Sequence, residues 1–233
     1  MKICLFGITG IPTGNHNIKD ARLDQADKLV EAQKKTYAQL VVADQKELPV
    51  CDAILTTRSA LSDLLMKDLD FVETRLGRDP GEAEKKVLQK MADGLVSETP
   101  VAKLGLTAED LAAISAHSFV TNRPVVVAEE AELAAPDALL ARAFAESGYL
   151  CFLTLGGKEN RAWPIRAGTT AWEAAGSVHT DMQKGFIRAE IISFADLVAA
   201  GGETQAKRAG KVRLELKTYV MQDCDVVNFR FNK

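Results

Sequence analysis

The chain has 233 residues, of which 47% are hydrophobic and 26% are charged, and its formal net charge is −3 at pH 7. The hydrophobic fraction supports a folded core and excludes a disordered chain, and the slight negative charge excludes a strong overall attraction to nucleic acid. Any contact with RNA must therefore depend on a local basic surface.

Cysteine and histidine are sparse and scattered. The cysteines are Cys4, Cys51, Cys151 and Cys224, no CxxC motif occurs, and there are three histidines. This pattern argues against a zinc site or a disulfide framework and predicts a reducing, cytoplasmic location. No Ser/His/Asp or Cys/His set has a suggestive spacing, so we predict no catalytic residue and no metal ligand. No apolar run is long enough for a signal peptide or a membrane span, and no membrane partner is expected.

The chain begins with an apolar segment, Lys2 to Phe6, that predicts a strand, and a glycine-rich stretch with Gly7, Gly10 and Gly14 follows. A helix is predicted next, from Asn17 to about Lys35, with Asn17 as its cap. A strand, a glycine-rich turn and a helix in succession can bind phosphate, because backbone N–H groups and the helix N-terminus face the anion. In no frame, however, does the stretch end in the Gly-Lys-Ser/Thr of the GxxxxGK[ST] motif. We therefore predict a turn that binds an anion weakly at most.

Amphipathic helices and short buried strands follow. Apolar residues that recur every three or four positions predict helices at 59–76 and 80–96, and the short link between them predicts an antiparallel hairpin. Asp79 is the predicted cap of the second helix, and Met66 and Met91 are predicted to fill the core. The other predicted elements are strands at 39–43, 53–56 and 124–128 and helices at 107–117 and 137–147.

The segment from Arg161 to Lys233 alternates strand-like pieces with capped helical pieces. Its diagnostic blocks are Ala162-Trp163, Gly168-Thr169-Thr170-Ala171, Ala174-Ala175-Gly176, His179-Thr180-Asp181, Lys184 to Glu190, Ala209-Gly210-Lys211 and Asn228-Phe229-Arg230-Phe231. These blocks resemble the C-terminal TGS domain of the Obg-like ATPases, the YchF family. The family's Gln-Asp-Gly-Asp turn reads Gln222-Asp223-Cys224-Asp225 here, and a non-glycine residue is disfavoured at that turn if its φ is positive.

Shorter pieces of the N-terminal part resemble the same family. Asp20-Ala21-Arg22-Leu23-Asp24 looks like its Asp-Glu-Arg-Leu-Asp, and Asp44 stands where the Asp of its DxxG loop is found. The resemblance implies an α/β fold with a reduced P-loop-like α/β body of about four strands, a helical hairpin insert and a β-grasp (TGS) domain. The implied boundaries are 1–58 with 118–148 for the body, 59–117 for the insert and 149–233 for the TGS domain.

The nucleotide motifs of the family are altered in this chain. Asp44 is followed by Gln45-Lys46-Glu47 without the glycine of DxxG, and the strand at 124–128 is followed by acidic residues instead of the Asn of the base-reading loop. Phosphoryl transfer depends on positioned cations and an ordered nucleophile, so we predict that the chain is not an enzyme. No cofactor is expected, and the alternative is weak binding of ATP or GTP at Gly7, Gly10, Gly14 and Asp44.

TGS domains are associated with RNA-binding and regulatory proteins, so the resemblance implies the ribosome or structured RNA as the partner. Six cations could hold RNA phosphates if they share a face: Lys184, Arg188, Lys207, Arg208, Lys211 and Arg213. The predicted function is non-catalytic binding of RNA or the ribosome in a translation-related role. Two alternatives remain, a purine-nucleotide-binding NTPase with an atypical phosphate loop and a regulatory scaffold that binds another protein through the hairpin.

Overall fold

Strands and helices alternate along most of the chain in the computed structural model, which describes residues 1–232. The strands are β1 (Lys2–Phe6), β2 (Gly14–Ile18), β3 (Lys35–Thr36), β4 (Ala38–Ala43), β5 (Ala53–Thr57), β6 (Val125–Ala128), β7 (Tyr149–Thr154), β8 (Asn160–Arg166), β9 (Phe186–Ile192), β10 (Arg213–Glu215) and β11 (Val226–Phe231). The α-helices are α1 (Ala21–Leu29), α2 (Arg58–Leu76), α3 (Glu82–Val96), α4 (Ala108–Ala113), α5 (Pro136–Glu146), α6 (Ala171–Val178), α7 (Thr180–Lys184), α8 (Phe194–Ala200) and α9 (Glu203–Arg208). Short 3₁₀ helices cover Gln45–Val50, Val101–Lys103 and Glu130–Ala134. Within residues 1–232, no helix combines the length and the hydropathy needed to cross a bilayer.

Two compact units divide the chain. The first contains Met1–His16 and Leu40–Ser147, and the second contains Asn17–Gln39 together with residues from 148 onwards. The segment Asn17–Gln39, which the sequence analysis counted in the first body, therefore packs in the second unit. Its anchor there is Asn160, whose Nδ2 donates to Asp27 Oδ1 and to the carbonyl of Val30, both at 2.7 Å.

The predicted helix from Asn17 to Lys35 is wrong in its extent and its cap. Asn17 lies in β2, and the helix α1 is only nine residues long. Asp20 is the actual cap, because its carboxylate accepts a hydrogen bond of 2.9 Å from the Arg22 N–H. Asp20, three positions after Asn17, is therefore the residue that sets the start of the helix.

The first unit is built on a five-stranded sheet with the order β2-β4-β1-β5-β6, one strand more than predicted. β1 is parallel to both β4 and β5, and β5 is parallel to β6. All five residues of β5 are buried, as expected for a central strand of a parallel sheet whose two faces are covered. The additional strand is β2, whose polar sequence GNHNI gave no strand signal.

The helical hairpin of α2 and α3 packs on the sheet in an apolar cluster of the first unit. Met91 is fully buried in it, as predicted, but Met66 is 46% exposed, so its predicted core role is wrong. Asp68, on the buried side of α2, accepts hydrogen bonds from the N–H groups of Val120 and Thr121, both at 2.7 Å. Asp79 does not cap α3, which begins after Gly81 without a side-chain cap.

The second unit is built on a six-stranded sheet with the order β10-β9-β11-β7-β8-β3. β7 and β8 form an antiparallel hairpin, and β11 lies between β7, to which it is parallel, and β9, to which it is antiparallel. β7 and β11, the first and the last strand of the range 149–232, are parallel neighbours in the middle of this sheet, within the α/β class that the sequence predicted.

Helices cover both faces of this second sheet. Ala174 and Ala175 of α6 pack with Phe152, Ile191 and Phe229 in the apolar core of one face. Val178 and Met182, at the end of α6 and in α7, pack against the same core. On the opposite face, Glu190 interacts electrostatically with Lys207 of α9. Side chains alternate along β9, so those of residues 190 and 191 point to opposite sides of the sheet and contact different helices.

Candidate functional site

The glycine-rich loop joins β1 to β2, so it leads into a strand and not into a helix. No helix N-terminus therefore follows the loop in the way that a phosphate-binding turn requires. Gly7 has a φ of +69°, and a Cβ added to it would lie 2.2 Å from the Cβ of Ala60 in α2. Gly7 thus permits a close approach of the loop to α2, which is a packing role.

A cavity of about 380 Å³ lies beside this loop. It is lined by Leu5, Gly7, Ile8, Thr9, Ile11, Thr13, Asp44 and Gln45. The structure therefore brings Gly7 and Asp44 together, whereas Gly10 and Gly14 are not among the lining residues. The lining carries one carboxylate and no lysine or arginine, so its electrostatics oppose a triphosphate. The residues present do not fit a magnesium–nucleotide complex.

Asp44 has a local structural role. Its carboxylate accepts a hydrogen bond of 2.8 Å from the Lys46 N–H and caps the 3₁₀ helix Gln45–Val50. Its carbonyl accepts from the Cys4 thiol at 3.3 Å. Within residues 1–232, no cluster of three or more His, Cys, Asp or Glu side chains is placed to hold a metal ion.

The cysteines offer no nucleophile, because all four thiols are buried. Burial raises the pKa of Cys4, Cys151 and Cys224 to about 12 each. The thiolate is the reactive form, so these thiols are inert at neutral pH.

The six cations predicted to bind RNA are distributed over more than one face of the second unit. Arg213 is the register partner of Ile191, and residues 188 and 191 of β9 point to opposite faces, so Arg188 and Arg213 lie on opposite faces. Arg213 lies over the ring of Tyr219 and 3.7 Å from Asp225, and Lys211 pairs with Asp196 at 3.1 Å. These two cations are already partly neutralised within the fold.

The remaining four predicted cations are exposed. Lys184 ends α7, Arg188 lies on β9, and Lys207 and Arg208 end α9. None of the four forms a salt bridge with a residue in the range 1–232. Cations in the last turn of a helix also stabilise that helix through its dipole, so Lys184, Lys207 and Arg208 also contribute to helix stability.

Arg230, which was not among the predicted cations, lies on the same face of the sheet as Arg188. Arg230 is the cross-strand partner of Arg188 and is held by Glu190, so the two guanidinium groups belong to one face of the sheet. Its signal was present, because Asn228 and Arg230 alternate with the apolar Val227, Phe229 and Phe231 as in a half-buried strand.

Comparison with known proteins places the strongest similarity in the second unit. A family model described as YchF-GTPase_C, a protein of unknown function, matches residues 149–232. A relative from Bacillus subtilis named ribosome-binding ATPase YchF is 49% identical over 96 residues, which cover 41% of this chain and 26% of the relative. Obg-like ATPase 1 from Caenorhabditis elegans is 51% identical over 81 residues, which cover 35% of this chain and 20% of the relative.

A longer match and a solved structure extend the similarity to the first unit. The ribosome-binding ATPase YchF of Haemophilus influenzae is 31% identical over 233 residues, covering 73% of this chain and 64% of the relative. The chain thus spans less than two thirds of the length of each of these curated relatives. A structure titled as the Schizosaccharomyces pombe YchF GTPase aligns with a TM-score of 0.77 at 17% identity, over 99% of this chain and 97% of that chain, which shows a shared fold.

Proposed function

The chain belongs to the YchF family of Obg-like ATPases, and from this we propose that it acts by binding the ribosome or structured RNA and hydrolyses no nucleotide. The partner is suggested by relatives that are named ribosome-binding ATPases. Binding to ribosomes implies the cytoplasmic location that the sequence predicts. We assign this binding to residues 149–233, which the sequence predicts to be a TGS domain.

One observation supports the proposed loss of catalysis. The loop after β1 leads into a strand, and the cavity beside it contains the Asp44 carboxylate and no cation. Catalysis of phosphoryl transfer is almost entirely positioning and charge stabilisation, so a cradle without cations cannot supply it. No cofactor is therefore required, and residual contact of ATP or GTP with Gly7, Gly10, Gly14 and Asp44 would be weak.

Co-sedimentation of the full chain with ribosomes, with and without Mg²⁺ and ATP or GTP, tests this function. We expect binding that is insensitive to nucleotide. The double variant Lys184→Glu with Arg188→Glu should weaken RNA binding about tenfold and reduce the slope of log K against log salt by about 2, because each phosphate contact adds about 1. Failure to bind ribosomes at low salt would contradict the proposal.

A matched control separates a specific surface from net charge. Lys86→Glu with Lys103→Glu changes the charge by the same amount on exposed positions of the first unit. This control should leave ribosome binding unchanged. Equal losses in both double variants would mean that overall charge, and not the surface around Arg188, determines binding.

The nucleotide-binding alternative is favoured by one feature, the cavity next to the glycine-rich loop and Asp44. Titration with ATP and GTP in the presence of Mg²⁺ distinguishes it, since tight magnesium-dependent binding with turnover would replace the proposed function. The scaffold alternative has its own candidate surface, because Met66 and Phe71 are exposed apolar side chains on α2.

A further inference from the structure

The last strand of the second sheet, β11, is fully paired on one side only. β9 pairs with it along its length, from Val226 to Phe231. β7 pairs with it only where Val226 is opposite Leu153, because β7 ends at Thr154 and the chain turns into β8. The C-terminal half of β11 thus extends beyond its neighbour.

Two backbone hydrogen bonds show which groups face the open side. The Leu153 N–H donates to the Asp225 carbonyl at 2.8 Å, and the Asn232 N–H donates to the Gly185 carbonyl, next to β9, at 2.9 Å. Backbone groups of successive residues point to opposite sides of a strand. The N–H and C=O of Phe229 and Phe231 therefore point to the side that β7 has left. In the range 1–232, neither residue has a backbone hydrogen-bond partner on that side.

A groove occupies the place of the missing strand. A cavity of about 410 Å³ follows β11 and is lined by Val178 and Met182 on one side and by Glu203 and Lys207 on the other. The first pair packs against one face of the sheet, and α9 lies on the opposite face. A cavity bounded from both faces lies at the level of the sheet itself, which is where a further strand would lie.

The groove continues past the end of β11. A second, open cavity of about 960 Å³ begins at the same Val178, Met182 and Phe231 and extends along α7 to Lys184. Together the two cavities follow the last strand from Val227 to Asn232, which suits an extended segment better than a compact ligand. The apolar side chains at the junction offer a pocket for alternate side chains of such a segment.

The charges around the groove favour a peptide over a nucleic acid. Its lining includes two cations, Lys184 and Lys207, and two carboxylates, Asp181 and Glu203. A phosphate backbone would gain little from this balanced set, whereas unpaired N–H and C=O groups are satisfied by another extended main chain.

We propose that the open side of β11 binds an extended peptide segment of a partner protein by strand addition. Phe229 and Phe231 supply the main-chain hydrogen bonds, and Val178 and Met182 form the pocket for an apolar side chain. This site is separate from ribosome binding through Lys184 and Arg188 in its chemistry, although Lys184 borders both surfaces. Peptide binding can fail while ribosome binding is retained, so the two tests are independent.

Selection of phage-displayed linear heptapeptides on the full chain is the first experiment, followed by fluorescence-anisotropy titration of the enriched peptides. Two variants at one position separate strand addition from simple apolar contact. Phe231→Ala removes the ring and keeps the N–H, whereas Phe231→Pro removes both. The N–H of residue 231 takes no part in pairing with β9, so proline is tolerated there as on an edge strand.

We expect the Kd to rise a few-fold in Phe231→Ala and about ten times further in Phe231→Pro, because the proline removes a hydrogen bond and blocks the approach of a strand. As a measurement that does not depend on folding of a variant, N-methylation of alternate peptide amides should weaken binding to the wild-type chain by a similar factor. Equal Kd values for the two variants, or no effect of N-methylation, would overturn strand addition.

Three further outcomes also count against the proposal. One is a selection that enriches no peptide on the wild-type chain. Another is protection of the Phe229 and Phe231 amides by a ten-nucleotide uridine oligomer and not by peptide, which would make the groove an RNA site. The third is self-association of the chain that Phe231→Pro abolishes, which would assign the groove to a second copy.

Discussion

The substitution Gly7→Ala tests whether the glycine-rich loop serves packing or phosphate binding. The new Cβ would lie 2.2 Å from the Cβ of Ala60, and the residue has a φ of +69°. Overpacking of this kind costs about 1–3 kcal/mol. The left-handed conformation adds about 1–2 kcal/mol for a residue with a side chain. The expected loss in the free energy of unfolding is therefore about 2–5 kcal/mol.

Gly10→Ala is the matched control on the same loop. Gly10 has a φ of +89° and no atom within 4 Å of an added Cβ, so only the backbone cost of about 1–2 kcal/mol applies. The difference between the two variants, about 1–3 kcal/mol, isolates the contact with α2. Adding Ala60→Gly to Gly7→Ala should recover this part, since it removes the atom that clashes.

Urea unfolding of the full chain measures these differences. Far-UV circular dichroism reports the long helices α2 and α3 of the first unit, while Trp163 and Trp172 report the second unit by fluorescence. A loss of 2–5 kcal/mol shifts the first unit's midpoint by roughly 1–3 M urea. Equal effects of Gly7→Ala and Gly10→Ala, with no rescue by Ala60→Gly, would refute the packing role. A loss of nucleotide affinity in Gly7→Ala at unchanged stability would instead indicate a phosphate site.

Three other predictions concern stability. Cys224 has a φ of +63°, so Cys224→Gly should be more stable than Cys224→Ala by about 1 kcal/mol in urea unfolding, and the reverse order would contradict strain at this turn. The Arg75 guanidinium lowers the pKa of Glu84 from 4.5 to about 2, so the wild type should lose this stabilisation as the pH falls from 4.5 to 2. Stability of Glu84→Gln should fall less steeply across that window, and parallel curves would refute the ion pair's role. Asp68→Ala leaves buried groups such as the Thr121 N–H unpaired and should cost about 2–4 kcal/mol, whereas a thermal midpoint within error of the wild type would exclude this.

Features that depend on local pattern could be predicted from the sequence. The long helices α2 and α3 follow from apolar residues that repeat every three or four positions. The predicted ranges 59–76 and 80–96 miss the first residue of each helix by one or two positions and match the last residue. β4 and β5 follow from short apolar runs, and β5 is the strand that is buried at all five residues, as a strand covered on both faces requires. The resemblance to the Obg-like ATPases also came from the residues alone. It agrees with the family match over 149–232.

Features that depend on pairing between distant segments required the tertiary structure. The polar segment that forms β2 is a strand because it adds to a sheet edge, so the glycine-rich loop leads into a strand where a helix was predicted. The segment Asn17–Gln39 belongs to the second unit because Asn160 binds it from more than a hundred residues away. Strand register separated Arg188 from Arg213 and brought Arg230 beside Arg188. The open side of β11 likewise exists only because β7 ends where it does, since a sequence pattern shows which residues favour a strand but not where its neighbour stops.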